Sequence, residues 1–128
     1  MEETFSAQSF TVLGFYSDDF GDQGGDSGAC TETYHVTYDQ FGIAPVTPPS
    51  AEPVFAWIEA QAAAPPGTTN VPNWNFNKYL IARDGTLVGH WDDNLWPGDD
   101  PNDPNDSFDT NPIVIAIRAE LAKAIPPP

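Results

Sequence analysis

Apolar and polar positions fall into blocks along this chain, and the blocks predict its elements. Phe10-Thr11-Val12-Leu13-Gly14-Phe15 is a short, nearly continuous apolar run of the kind a buried strand shows, and it leads into a polar, glycine-rich stretch over residues 16–25. Phe41-Gly42-Ile43-Ala44-Pro45-Val46 reads as a second short strand or extended edge, closed by a rigid turn at Thr47-Pro48-Pro49-Ser50. Ser50 is then expected to cap a helix with Glu52 and Pro53 in its first turn. Val54, Phe55, Trp57, Ile58 and Gln61 follow at close to helical spacing, and Pro65-Pro66-Gly67 stops the helix. Residues 71–85 change character repeatedly: a loop fixed by Pro72, the polar-aromatic cluster Asn73-Trp74-Asn75-Phe76, then the apolar strand Tyr79-Leu80-Ile81-Ala82. Asp84-Gly85 supplies a two-residue hairpin signal, and residues 87–91 form the return strand. Last, Thr110-Asn111-Pro112 opens a helix whose apolar face is Ile113, Val114, Ile117, Leu121 and Ala124, ended by Pro126-Pro127-Pro128. Strands interleaved with helices predict an α/β fold in a single domain over residues 1–128.

Composition adds bounds to this picture. At 128 residues the chain is long enough to bury a core, and its fourteen prolines predict long loops. Nineteen acidic residues against four basic ones give a formal charge of -15, which repels nucleic acid and anionic membrane surfaces and argues against either as a partner. No apolar run approaches the roughly 20 residues that cross a bilayer, and no charged-then-apolar signal segment opens the chain, so the expectation is a soluble protein.

Residues 92–109 form an acidic loop insertion rich in Asp, Pro and Asn. Oxygen ligands at alternate positions are what calcium needs, but the spacing matches no EF-hand and the prolines keep the segment extended. A solvated loop is the expectation. A non-catalytic acidic binding module that takes calcium is the alternative function. His35 and His90, the two histidines, lie near no second histidine or nucleophile at ligand spacing and read as structural or exposed. No serine motif starts a hydrolase triad, and the residues imply neither a cofactor nor a metal.

The chemistry sits at the entrance to the third strand. Trp74 offers an indole N–H and Asn75 an amide, and such groups beside a buried strand need partners when desolvated. Taken alone, the pair reads as a core plug and a turn cap. Ordered matches elsewhere change that. The strand at 10–15 followed by Phe20-Gly21-Asp22-Gln23 resembles the glutathione peroxidase family, in which a buried strand leads into a loop with a catalytic Gln. Trp74-Asn75-Phe76-Asn77-Lys78-Tyr79-Leu80-Ile81 with its Asp-Gly turn is similar to that family's Trp-Asn signature. Tyr34-His35-Val36-Thr37-Tyr38-Asp39-Gln40-Phe41 is similar to its connector, and Glu52-Pro53-Val54-Phe55-Ala56-Trp57-Ile58 to its next helix. The resemblance covers most of residues 9–121.

It implies a thioredoxin-like fold, a mixed central sheet flanked by helices, and a thiol peroxidase that reduces hydrogen peroxide or organic hydroperoxides in response to oxidative stress. Carried over by position, Gln23, Trp74 and Asn75 would polarise a peroxidatic sulfur. A thiolate attacking an O–O bond needs donors that hold its pKa down and donors for the leaving oxygen, and neutral amide and indole groups supply both. The family's nucleophile, Cys or selenocysteine, lies some 35 to 40 residues before the Gln, whereas only 22 residues precede Gln23 and none is a cysteine. Residues 1–7 look like the tail of the family's first helix. The expectation is therefore a domain that is N-terminally incomplete, inactive as it stands, and lacking the first core strand, whose place is between the strand at 11–15 and the strand at 79–82.

Cys30 is the single cysteine. Thioredoxin-dependent members of the family carry a resolving Cys in about this region, one residue out of register. The other reading is a free, partly buried Cys at the start of a short helix. The reductant implied is a thioredoxin-like dithiol or glutathione. Glutathione is anionic and needs cationic groups, of which the chain has only Lys78, Arg83, Arg118 and Lys123, so the charge favours a protein dithiol.

Overall fold

The computed structural model describes residues 1–21, 32 and 35–125. They cluster into two compact units, Glu2–Trp57 and the residues from Ile58 onward together with Met1. Gln23 and Cys30 lie outside the described residues, as does the glycine-rich stretch beyond Gly21.

The first unit opens with the short helix α1, Glu2–Phe5, continued by a 3-10 turn over Ser6–Gln8. Strand β1, Leu13–Tyr16, pairs in parallel with β2, Asp39–Ile43, setting Phe15 opposite Phe41. The Phe15 and Phe41 rings stack at 4.6 Å, and Phe55 meets Phe15 edge-on at 5.6 Å. β1 begins three residues later than the apolar run suggests. Phe10 turns aside to pack edge-on against the buried Phe5, and the Glu2 carboxylate accepts from the Val12 N–H at 3.3 Å and the Thr11 hydroxyl at 3.2 Å. With that amide engaged, the ladder starts at Leu13.

The polar loop after β1 is held by a carboxylate. Asp19 Oδ2 accepts from the Val46 N–H at 2.9 Å, the Thr47 N–H at 2.8 Å and the Thr47 hydroxyl at 2.7 Å. The Thr47 hydroxyl, then these amides, hold the Asp19 carboxyl below the ordinary aspartate range against the opposing effect of burial. A carboxyl lowered in the folded state contributes stability above its unfolded value of about 4 and loses it as the pH falls through the folded one. Acidification from neutrality first relieves the repulsion among the chain's many carboxylates, which raises stability. Below about pH 4 thermal unfolding of the wild type should then fall more steeply than that of Asp19→Asn, which lacks this proton uptake; parallel curves would show that Asp19 is not a clamp.

Helix α2, Pro53–Ala60, has its proline at the first helical position and buries Phe55 and Ile58. The Glu52 carbonyl, two residues after Ser50, accepts from the Ala56 N–H and opens the helix. Trp57, expected on the packed face, is 38% exposed.

The second unit is built on the antiparallel pair β3, Lys78–Ile81, and β4, Leu87–Trp91. Their hairpin loop is one residue longer than a simple Asp-Gly turn. The Ala82 N–H donates to the Thr86 carbonyl at 2.8 Å and the Gly85 N–H to the Ala82 carbonyl at 2.9 Å, which leaves a loop over residues 83–85 with Gly85 at φ 86°. A residue in that left-handed region shifts the register by one, so Leu80 faces Gly89 while Ile81 faces Leu87. Helix α3, Pro112–Leu121, packs on β4 and buries Ile113, Val114 and Ile117. Leu121 is only partly buried and Ala124 falls beyond the helix.

β1 and β3 each have one hydrogen-bonded strand neighbour among the described residues, so one edge of each lacks a strand partner. Trp91, 7% exposed, folds its ring over Gly89, where an added Cβ would lie 2.2 Å from the indole. Gly89→Ala must therefore expel the ring, and the expected cost is about 2–3 kcal/mol, read as a lower denaturation midpoint at unchanged slope.

Candidate functional site

The turn at Trp74 is placed by what comes before it. Past α2 the carbonyls lose the regular helical partner, the Gln61 N–H reaching back only to Ile58 at 3.2 Å, and Asn70, 3% exposed, meets them: its Nδ2 donates to the carbonyls of Ile58, Gln61 and Ala62 at 3.0 Å each, and its Oδ1 accepts from the Ala64 N–H at 2.8 Å. The Asn70 carbonyl in turn accepts from the Tyr79 hydroxyl at 2.8 Å, joining the loop to β3. Burial pushes that phenol above its ordinary range, with the Glu59 charge adding to the effect.

From this anchor the chain passes the buried Pro72 into a turn at residues 74–77. Trp74 is 47% exposed and Phe76 80% exposed, while Asn75 is partly buried. Trp74 therefore does not plug a core. Phe76 sits at φ 60°, a conformation a bulky residue adopts only when its surroundings enforce it. Asn77 does much of the enforcing, since its Nδ2 donates to the Trp74 carbonyl at 2.7 Å and to Asn73 Oδ1 at 3.1 Å. Its Oδ1 lies 2.7 Å from His90 Nε2 on β4. His90 is buried and stacks on Tyr79 with ring centroids 4.4 Å apart.

The far side of the site is fixed by charge. Lys78 Nζ donates to the Asp92 and Leu95 carbonyls at 2.7 Å each, clamping the start of the acidic loop against β3. Burial pulls this ammonium below its ordinary value, opposed by Asp93 and Asp92. Asn111, 1% exposed, donates to the Trp96 and Gly98 carbonyls at 2.8 and 2.9 Å and accepts from the Ile113 N–H at 3.0 Å. A cleft of about 610 Å³ opens beside the turn, lined among others by Thr69, Val71, Asn73, His90, Asp92 and Leu95.

Within the acidic loop, Asp92, Asp100 and Asp103 each turn the side chain back on the asparagine two residues later. Among the described residues no group of three or more His, Cys, Asp and Glu side chains converges as a metal site. His35 is exposed. Also among the described residues, no helix is long and apolar enough to cross a membrane.

The structure thus places two of the residues singled out by sequence, Trp74 and Asn75, side by side in one constrained turn at the head of β3. Asn70 and Asn77, which hold that turn, escaped the sequence reading, which had His90 as structural or exposed and Asn111 in the start of the last helix without their bonds to the loops. The only local signal was the Asn-Pro helix start at Asn111.

No family model matches the chain. Individual proteins do. It is 36% identical over 97 residues to glutathione peroxidase 7 of Homo sapiens, covering 72% of this chain and 49% of that protein. It is 37% identical over 97 residues to the hydroperoxy fatty acid reductase gpx1 of Synechocystis, covering 66% and 55%, and 28% identical over 100 residues to the glutathione peroxidase homolog BsaA of Bacillus subtilis, covering 74% and 62%. The chain thus spans about half the length of the curated relatives it matches. Among solved structures, the crystal structure of Trgpx in apo form superposes with a TM-score of 0.63 at 23% identity, covering 97% of this chain and 67% of that one; the fold is that of this thioredoxin-like α/β class.

Proposed function

Because the chain belongs to the glutathione peroxidase family, we propose that it serves peroxide reduction by a sulfur nucleophile, with Gln23, Trp74 and Asn75 as the polarising groups. The observation that carries this reading is the Trp74–Asn75 turn. Trp74, 47% exposed, stands two residues before Phe76 at φ 60° in a turn backed by the buried bonds of Asn70 and His90, which supports a site over a packed core.

In the reaction, a thiolate attacks one peroxide oxygen and the O–O bond breaks. The sulfur gives up two electrons and becomes a sulfenic acid, and the other oxygen leaves as hydroxide or alkoxide and takes a proton. A thiol of the reductant then condenses with the sulfenic acid, releasing water and forming a disulfide. A second thiol displaces the original sulfur. The indole N–H of Trp74 and the amides of Asn75 and Gln23 stabilise the thiolate and the charge on the departing oxygen.

We assign the nucleophile to a sulfur other than Cys30, with Cys30 as resolving or redox cysteine. The name of the Synechocystis relative supports organic hydroperoxides beside hydrogen peroxide as substrates. A protein dithiol is favoured over glutathione as reductant because the cations are engaged: Lys78 with two carbonyls, Arg118 with Asp109, Lys123 with Glu120, and Arg83 with the Lys123 carbonyl. A role in the response to oxidative stress follows from that chemistry.

The test is peroxide-dependent oxidation of thioredoxin. The 128-residue chain alone should be silent, and the chain extended by a strand ending in Cys-Gly-x-Thr should turn over. In the extended protein Trp74→Phe, which removes one donor, should lower kcat/KM by about 10²-fold or more. Turnover by the chain alone that vanishes in Cys30→Ser would make Cys30 the nucleophile and overturn the assignment.

A further inference from the structure

We propose that His90 is a positioning residue for the Trp74–Asn75 turn, acting with both ring nitrogens protonated as a two-donor clasp between Thr69 and Asn77. The inference rests on the peroxidase reading only for what the turn is for. His90 Nδ1 lies 2.8 Å from the Thr69 carbonyl oxygen and Nε2 lies 2.7 Å from Asn77 Oδ1. A backbone carbonyl can only accept. The orientation of the Asn77 amide is set by its other bonds, because reversing it would put an oxygen 2.7 Å from the Trp74 carbonyl and 3.1 Å from Asn73 Oδ1. Both groups facing the imidazole are therefore acceptors. Neutral imidazole has one N–H and would leave a nitrogen lone pair against an oxygen, whereas the imidazolium satisfies both.

The surroundings fit a cation. Tyr79 on β3 lies face to face with the ring, 14° from parallel. The Asp92 carboxylate stands two residues along the chain, next to Asp93, and interacts with His90 electrostatically. The positive charge on β3, Lys78, is turned onto the Asp92 and Leu95 carbonyls, and Glu59 of α2 bears on Tyr79. Residues 61–77 contain no charged side chain. On α3, which packs on β4, Arg118 is paired with Asp109 and Glu120 with Lys123. The backbone joins in, for the His90 N–H donates to the Pro65 carbonyl at 3.1 Å. One residue of β4 thus grips the loop at 65, 69 and 77, and through Asn77 it reaches the Trp74 carbonyl. Removing one ring proton breaks one of the two side-chain bonds and loosens the support behind Asn77, which holds the turn at Phe76.

The experiment is a pH titration of the nitrogen-15-labelled 128-residue chain by NMR, reading the His90 ring nitrogens together with the Trp74 indole and Asn75 amide signals. On the acidic side both ring nitrogens should show protonated signals. As alkali removes one proton, the Trp74 and Asn75 signals should shift with the same midpoint while the Trp57 indole stays in place. His90→Phe should lose that transition. Should it fail to fold, Asn77→Asp, which offers a full carboxylate to the imidazolium, should carry the transition to higher pH. A ring that titrates while Trp74 and Asn75 stay still, or an Asn77→Asp transition left in place, would overturn the proposal. No peroxide enters the measurement, so failure of the clasp and failure of the peroxidase reading are separate results.

Discussion

Asn70→Ala is expected to destabilise the unit from Ile58 onward by about 3–4 kcal/mol, a large share of the roughly 5–15 kcal/mol by which a domain is stable. The side chain contributes one acceptor and a two-hydrogen donor shared among three carbonyls, all at 3.0 Å or less. Truncation leaves the Ala64 N–H without a partner at a residue 2% exposed, at about 1–3 kcal/mol, and takes the side-chain donor from the carbonyls of Ile58, Gln61 and Ala62, of which Ile58 keeps only the Gln61 N–H at 3.2 Å; a hydrogen bond lost there costs about 0.5–1.5 kcal/mol. For a chain of this size the fall in Tm should be about 10–15 °C. Asn70→Asp separates the two halves of the argument. It keeps the acceptor for Ala64 but turns a carboxylate toward three carbonyl oxygens, so at neutral pH it should be at least as damaging as alanine. It should recover in part in acid, where a protonated carboxyl can donate. A pH-independent Asp variant as stable as the wild type would show that the α2 carbonyls do not depend on this residue.

Asn70 also shows where sequence reasoning stops. The hairpin was readable because its signals are local: Asp84-Gly85 marked the turn, and Leu87-Val88 opened the return strand found at Leu87–Trp91. The last helix was readable for the same reason, with Asn111 as cap and Pro112 as first residue. Asn70 has no such signature, for its meaning depends on carbonyls of residues 58, 61 and 62 that are freed only when α2 ends. The start of β1 was misjudged on similar grounds. Phe10 is as apolar as Phe15, and only the carboxylate of Glu2 on the Val12 amide decides that the ladder begins at Leu13. Loop length in the hairpin came out one residue longer than the dipeptide implied, because Gly85 takes the left-handed position after the turn and not within it.

The site itself divides along the same line. Trp74 and Asn75 carry a pattern that can be matched to a family, whereas the burial of Trp74 is a tertiary fact, and the reading of the isolated pair as a core plug fails against a residue 47% exposed. His90 read as structural or exposed, and its partners at residues 69 and 77 lie 21 and 13 positions away, beyond any local motif. What makes this turn precise is thus a set of neutral amides and one imidazole recruited from separate stretches.

The same logic gives the second large effect, at Asn111. Its side chain caps α3 through the Ile113 N–H at 3.0 Å and, from the other end of the amide, holds the Trp96 and Gly98 carbonyls. Loss of the cap costs about 1 kcal/mol and the carbonyl of the buried Gly98, stripped of this donor, adds about 1 kcal/mol, while the carbonyl of the exposed Trp96 keeps the Gly98 N–H at 3.1 Å, so Asn111→Ala should cost about 2 kcal/mol. Asn111→Ser keeps the capping oxygen and has no amide to reach the loop, so it should regain only the helix share, about 1 kcal/mol. The two variants should therefore differ in stability yet agree in a second observable, earlier hydrogen exchange and proteolytic cleavage in the acidic loop near residues 96–106, where the bonds to Trp96 and Gly98 are gone in both. If serine restores loop protection together with helix stability, the loop is held by the packing of Trp96 and not by Asn111. The path from α3 through Asn111 to the loop that Lys78 clamps beside the Trp74 turn would then have to be given up.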